Sequence, residues 1–148
     1  MKIWVIDASV VVKWFLTNAE NEADIPIALE ILKALQNDQI SVLQPIHWLA
    51  EVAAVITRLR PEHAENVISL PYAMELPTCN DSIILNVACR LAKTYNCHLF
   101  DTLYHAVAIS QDNATLVTAD LAYLKKVDTR SSSFSILITT TRIACNQG

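Results

Sequence analysis

Lys2-Ile3-Trp4-Val5-Ile6-Asp7-Ala8-Ser9 is the stretch whose reading decides the fold. Ile3 to Ile6 is a short apolar run of β-formers, ended abruptly by Asp7 and Ser9. A helix-like run, Val10 to Leu16, follows at once. Such a run without alternation reads as a strand buried on both faces, the habit of parallel sheets. Its carboxyl end carries an acid, and chemistry in open α/β sheets gathers at the carboxyl ends of strands.

Working outward, apolar runs of strand and helix type alternate along the chain. Ser9 is positioned to cap a helix over 9–16. Residues 17–24 are polar and read as a loop. Ile27, Ala28, Ile31, Leu32 and Leu35 recur at helical spacing, giving a helix over 26–37 that starts at Pro26. Ile40 to Leu43 is a second strand, broken by Pro45. Residues 47–59 form an apolar helix ended by Pro61, and 61–70 a further short helix. Tyr72 to Leu76, between Pro71 and Pro77, reads as an edge strand. Asn80 caps a long helix ending near Tyr95-Asn96, and Asp101 opens the next, through Ser110. Thr115 to Thr118 is a strand, Asp120 to Lys126 a helical turn or two, residues 131–133 a loop, and Phe134 to Thr139 the last strand. The alternation predicts an α/β fold, a parallel sheet with helices on both faces. Residues 1–148 are expected to form one domain, as the length allows.

Composition narrows the function. The apolar fraction is 53% and the net charge −4. That balance excludes disorder and argues against coating nucleic acid by charge alone. It leaves room for an enzyme that meets a phosphate backbone through a cation and a few basic residues. The chain has one glycine, Gly148. Phosphate-cradling loops need glycine for close backbone approach, so the P-loop and the dinucleotide fingerprint are excluded. Cys79, Cys89, Cys97 and Cys145 lack Cys-x-x-Cys spacing and read as reduced thiols. No apolar run is long enough for a membrane span, and the first residues do not read as a signal peptide, so a cytoplasmic location is expected.

Four acids stand apart from those in polar company. Asp7 follows the first strand, and Asp120 follows the strand Leu116-Val117-Thr118. Glu51 lies within Trp48-Leu49-Ala50-Glu51-Val52-Ala53-Ala54-Val55, and Asp101 follows Leu99-Phe100. Asp7, Asp101 and Asp120 each suit a helix cap as well as a catalyst; Glu51, read as mid-helix, does not. If the first strand neighbours the strand at 115–118, Asp7 and Asp120 converge on one crevice. Two carboxylates about 4 Å apart repel by roughly 4 kcal/mol at an effective dielectric near 20. A hard divalent ion, Mg²⁺ or Mn²⁺, relieves this.

These segments carry a resemblance. Val5-Ile6-Asp7-Ala8-Ser9 with Val12-Lys13-Trp14-Phe15-Leu16, Leu49-Ala50-Glu51-Val52, Phe100-Asp101-Thr102-Leu103-Tyr104-His105-Ala106-Val107-Ala108 and Leu116-Val117-Thr118-Ala119-Asp120 occur in the order and spacing of PIN-domain nucleases. The sequence is most similar to the VapC-type toxins of bacterial toxin–antitoxin pairs. The resemblance covers almost the whole chain. It implies a three-layer α/β/α fold with a parallel sheet ordered 3-2-1-4-5, and a metal-dependent endoribonuclease. It also implies an antitoxin that occludes the site, and a homodimer. Carried over, the acids are Asp7, Glu51, Asp101 and Asp120. Asp7, Asp101 and Asp120 are expected to hold Mg²⁺ or Mn²⁺, and Glu51 either to join them or to orient the attacking water. Ser9 and Thr118 match hydroxyls that steer carboxylates, their other roles being a cap and a strand-end turn. Water attack on the RNA phosphodiester would leave a 5′-phosphate and a 3′-hydroxyl.

Other residues keep two readings. His47 and His105 share helix faces with Glu51 and Asp101. They are packed neighbours first, and ligands or the acid–base pair of a metal-free ribonuclease second. Lys13 reads as a solvated helix-face cation first and a phosphate contact second, Arg58 and Arg60 as helix-end cations, and Tyr104 and Trp14 as core first and base-stacking rings second. An aspartyl-phosphate enzyme of the haloacid-dehalogenase type would need a second Asp where Ser9 stands. The main rival is a catalytically idle PIN fold kept as an interaction module. The target RNA is not legible.

Overall fold

A computed structural model describes residues 2–16, 25–127 and 135–138. The loops expected at 17–24 and 131–133, and Cys145, lie outside the described residues. The elements alternate as expected. They run β1 (Ile3–Ile6), α1 (Ala8–Val11), α2 (Ile25–Gln36), β2 (Ser41–Val42), β3 (Gln44–Pro45) and α3 (Trp48–Leu59). There follow α4 (Ala64–Ala73), β4 (Thr78–Cys79), α5 (Ser82–Tyr95), α6 (Leu99–Ser110), β5 (Ala114–Thr118), α7 (Leu121–Lys126) and β6 (Ser135–Ile138). A 3₁₀ turn, Val12–Trp14, continues α1.

The central sheet has the order β2-β1-β5-β6, with every pair parallel. β3 and β4 form a separate parallel pair. Counting β2 and β3 as one strand interrupted at Leu43, the expected neighbour order 3-2-1-4-5 is here β4-β3/β2-β1-β5-β6, divided into two ladders. Gln44 closes the division with its side chain. Its Oε1 accepts from Ile6 N–H at 2.8 Å and its Nε2 donates to Ile6 C=O at 2.7 Å. Its own backbone N–H turns to Pro77 C=O at 2.8 Å. A buried amide thus replaces a ladder rung, and no main-chain group of Ile6 is orphaned.

Val5 and Ile6 are fully buried, as the two-faced reading requires. α6 lies against β1, β5 and α5, and Thr102 to Ala108 are all buried along it. A helix apolar on every face belongs inside. Its one early hydroxyl, Thr102 Oγ1, donates to Ala88 C=O at 2.9 Å across the α5–α6 contact.

Several boundaries differ from expectation. α4 runs through Pro71 to Ala73, and the edge strand lies at Thr78–Cys79 instead of 72–76. Proline's φ is already helical, and with Pro71 two residues from the helix end, the lost hydrogen bond and the ring's crowding of the carbonyl four residues back fall on the last turn. Pro45 stays within β3. Successive amides alternate in direction, so its nitrogen faces away from β4 and no rung is lost. Asp81, not Asn80, caps α5, its Oδ1 accepting from Ile83 N–H at 2.9 Å. α6 opens at Leu99, capped by His98 through Nδ1 to Phe100 N–H. Asp101 is therefore in its first turn. Lys13 is buried, not solvated, and Trp14 is core, with Nε1 donating to Ala28 C=O at 2.8 Å. Left-handed turns fall at Asp38, Glu75, Asn96 and Asn113, so side-chain-bearing residues do the work that glycine usually does.

Candidate metal centre

Parallel pairing of β1 with β5 sets Ile6 beside Val117, and the next residues of both strands leave the sheet together. Asp7 N–H donates to Val117 C=O at 2.8 Å, which fixes the acid at the end of the ladder. Asp7 occupies the N-cap position of α1 yet makes no side-chain cap bond. Its Oδ2 instead accepts from Ser9 Oγ at 2.5 Å and Thr118 Oγ1 at 3.1 Å. Ser9 Oγ also accepts from Ala119 N–H, and Thr118 Oγ1 from Asp120 N–H. Ser9 is thus neither cap nor surface residue. The two hydroxyls stitch both strand ends to one carboxylate oxygen, and among the described residues Oδ1 receives no hydrogen bond.

Glu51 and Asp101 reach the same place from other elements. Glu51 is in the first turn of α3, not mid-helix, and Asp101 is in the first turn of α6. One carboxylate oxygen from each of Asp7, Glu51 and Asp101 lies within 4.8 Å of the others. All three acids, and Asp120 at the N-cap of α7, sit at helix N-terminal ends. The positive end of each helix dipole offsets part of their mutual repulsion. Asp120 is less committed. Its Oδ1 caps α7 by accepting from Tyr123 N–H at 3.0 Å, and it stays outside the tight group of three. It nevertheless lines, with Asp7, Asp101 and Thr118, a cavity of about 10 Å³, room for one water-sized body.

The electrostatics record the crowding. Burial pushes the Asp7 carboxyl up to about 6; the Ser9 and Thr118 hydroxyls oppose the rise, and the Glu51 and Asp101 charges add to it. Asp101 is also raised, by burial and then by Asp120 and Glu51. Burial, with the Glu51 and Asp7 charges, keeps the Tyr104 hydroxyl protonated well beyond the usual tyrosine range. An all-carboxylate donor set with a spare Asp7 oxygen and this mutual repulsion fits a hard divalent cation.

The histidines separate. His47 Nε2 stands 2.9 Å from a Glu51 carboxylate oxygen and 3.0 Å from Phe100 C=O. The hydrogen bond is to the Phe100 carbonyl, an acceptor, which places a proton on Nε2; the buried Glu51 Oε2 has no hydrogen-bond partner among the described residues. The ring stacks on Phe100 and meets Tyr104 edge-on. His105 is buried and hydrogen-bonded to Tyr123 Oη, and burial lowers it to about 4. It is neutral, and it is not among the acids' tight group. Arg58 and Arg60 stay at the far end of α3, where Arg60 binds Leu59 C=O. Tyr123 lines the cavity and was not singled out from sequence. Its spacing of three from Asp120 was the available signal, since capped helices turn that residue toward the cap.

No family model and no curated protein matches the chain. Solved structures do. A chain of the VapBC2 structure from Rickettsia felis, bound to a DNA fragment from its promoter, aligns at TM-score 0.63 and 15% identity, covering 92% of this chain and 98% of that one. A chain of VapBC-1 from nontypeable Haemophilus influenzae aligns at TM-score 0.60 and 16% identity, covering 94% and 99%. The fold is therefore the α/β fold of these proteins over nearly their whole length, with a central parallel sheet. Among the described residues, no helix is long and apolar enough to cross a membrane.

Proposed function

We propose that this protein is a Mg²⁺- or Mn²⁺-dependent endoribonuclease and the toxin of a toxin–antitoxin pair. The observation that carries the reading is the meeting of Asp7, Glu51 and Asp101 from three elements within 4.8 Å. Asp120, on the same cavity, joins as a ligand directly or through water. The likeness to VapBC structures supports the toxin assignment and a cognate antitoxin as partner.

When bound, the divalent ion lowers the pKa of its water and stabilises charge on the phosphate. The chain's own residues do the rest. Ser9 and Thr118 lock Asp7 Oδ2, so that Oδ1 is presented at a fixed angle. His47 is pinned on Phe100 C=O, and Glu51, whose buried Oε2 has no hydrogen-bond partner among the described residues, is free to orient the attacking water. The protonated Tyr104 hydroxyl, buried without a hydrogen-bond partner among the described residues, adds no negative charge beside the carboxylates. The products are a 5′-phosphate and a 3′-hydroxyl. Self-association is part of the proposal, and the exposed Leu70 and Tyr72 of α4 with Ile83 and Leu85 of α5 offer apolar surface for partners.

The test is cleavage of RNA by purified protein with Mg²⁺ or Mn²⁺, repeated in EDTA and in Asp7→Asn, Glu51→Gln, Asp101→Asn and Asp120→Asn. Loss of cleavage in EDTA and in the Asp7 and Asp101 variants is expected. Full activity of Asp7→Asn, or cleavage persisting in EDTA, overturns the proposal.

A further inference from the structure

Beside the acidic cavity lies a second space of about 240 Å³. Asp101, Asp120 and Tyr123 line both, so the two share that wall. The opposite side is made where α5 ends and α7 ends. Asn96, left-handed at φ 51°, stops α5 and turns the chain toward His98. From the last turn of α7, Lys126 Nζ donates to Asn96 C=O at 3.2 Å. That bond anchors an exposed ammonium at the rim. Lys126 is the only lysine or arginine among the described residues that line either space. The exposed His98 ring is also fixed, by its cap bond to Phe100 N–H and by contact with the Phe100 ring at 5.0 Å.

We propose that this space seats the nucleotide next to the scissile phosphate of a single-stranded RNA, with Lys126 contacting that nucleotide's phosphate. The proposal rests on the nuclease reading and names its substrate subsite. A strand whose phosphodiester reaches the acids must carry its next sugar and phosphate along the shared wall. That wall is acidic and repels phosphate, and Lys126 at the far rim reverses the sign where the next phosphate arrives. A space of about 240 Å³ is the size of one unstacked nucleoside, which suits RNA recognised with its bases splayed. The His98 ring, which lines the space and is held against Phe100, supplies a face for that base. A basic protein segment would suit the acids but would be repelled by Lys126.

The experiment measures binding of a fluorescein-labelled single-stranded RNA to the uncleaving Asp7→Asn protein, as a function of salt. Lys126→Gln, Lys126→Arg and Lys125→Gln are compared in that background. Lys126→Gln should weaken binding alike across RNA sequences and reduce the slope of log affinity against log salt by about 0.7, one single-strand phosphate contact. Lys126→Arg should restore the slope, and Lys125→Gln should leave it unchanged. In otherwise wild-type protein, Lys126→Gln should raise KM more than it lowers kcat. An unchanged slope in Lys126→Gln, or an equal loss in Lys125→Gln, overturns the subsite. Wild-type protein that fails to cleave RNA with either metal overturns the nuclease reading instead. Cleavage with an unaltered Lys126→Gln slope overturns the subsite alone.

Discussion

Asp7 carries two hydroxyls on one oxygen and is still pushed up to about 6, because burial outweighs the hydrogen bonds. The sign of the resulting pH dependence follows. The unfolded carboxyl releases its proton near pH 4, whereas the folded one keeps it to about 6, so the folded state binds more protons in between. Stability of the metal-free protein must then fall as pH rises through that window. Above it, the penalty reaches about 3 kcal/mol. Asp7→Asn should accordingly stabilise the metal-free protein at pH 7 and flatten its stability from pH 4 to 6, as read by urea denaturation. A less stable variant would show that the Ser9 and Thr118 bonds outweigh burial. Metal affinity in the native protein should drop as pH falls below about 6, because the proton competes for Asp7. The hydroxyls are testable by titration. Ser9→Ala and Thr118→Val should each weaken Mn²⁺ binding by about 10- to 100-fold, the range for groups that orient a ligand. Unchanged affinity would return them to mere strand-end bonding.

Among the elements, the break between β2 and β3 is the one that periodicity could not show. The sequence places a strand at Ile40 to Leu43, broken by Pro45, and assigns Gln44 no role. In the fold it is fully buried and serves as a rung for β1, the strand that carries Asp7. Gln44→Leu should strand the Ile6 N–H and C=O and destabilise the protein by about 2–6 kcal/mol, at about 1–3 per orphaned buried group. Chemical denaturation checks this, and a change below about 0.5 kcal/mol would mean that the backbone closes the gap. Helix starts were misplaced for a related reason. Capping depends on which side chain finds an amide, so His98 and Asp81 took roles that spacing had offered to Asp101 and Asn80. That misplacement matters, because Asp101 and Glu51 gain from being in first turns, near the positive helix ends.

For the whole molecule, three acids of a chain of net charge −4 line one cavity, so an ion bound there would add to the stability of the fold. Mn²⁺ at 100 times its Kd should stabilise the native protein by about 2.7 kcal/mol, a rise of several degrees in Tm. Asp7→Asn should abolish the rise, and an equal rise in that variant would place the ion elsewhere. The layout behind this was legible in the chain itself. Buried-strand runs alternating with amphipathic helices dictate a parallel α/β sheet, and acids directly after Ile6 and Thr118-Ala119 must emerge at its carboxyl edge. The lack of internal glycine removes the phosphate loop. Those are local properties, set by side-chain period and backbone freedom. What required the folded chain was the convergence. Pairing of β1 with β5 is a contact across 111 residues between Asp7 and Thr118, and it turned Ser9 and Thr118 into partners of one carboxylate. The same folding buried Lys13, drew His105 to Tyr123, and left Asp120 divided between cap and cavity. No period in the sequence encodes such choices, because each depends on the desolvation and geometry that packing creates between segments far apart in the chain.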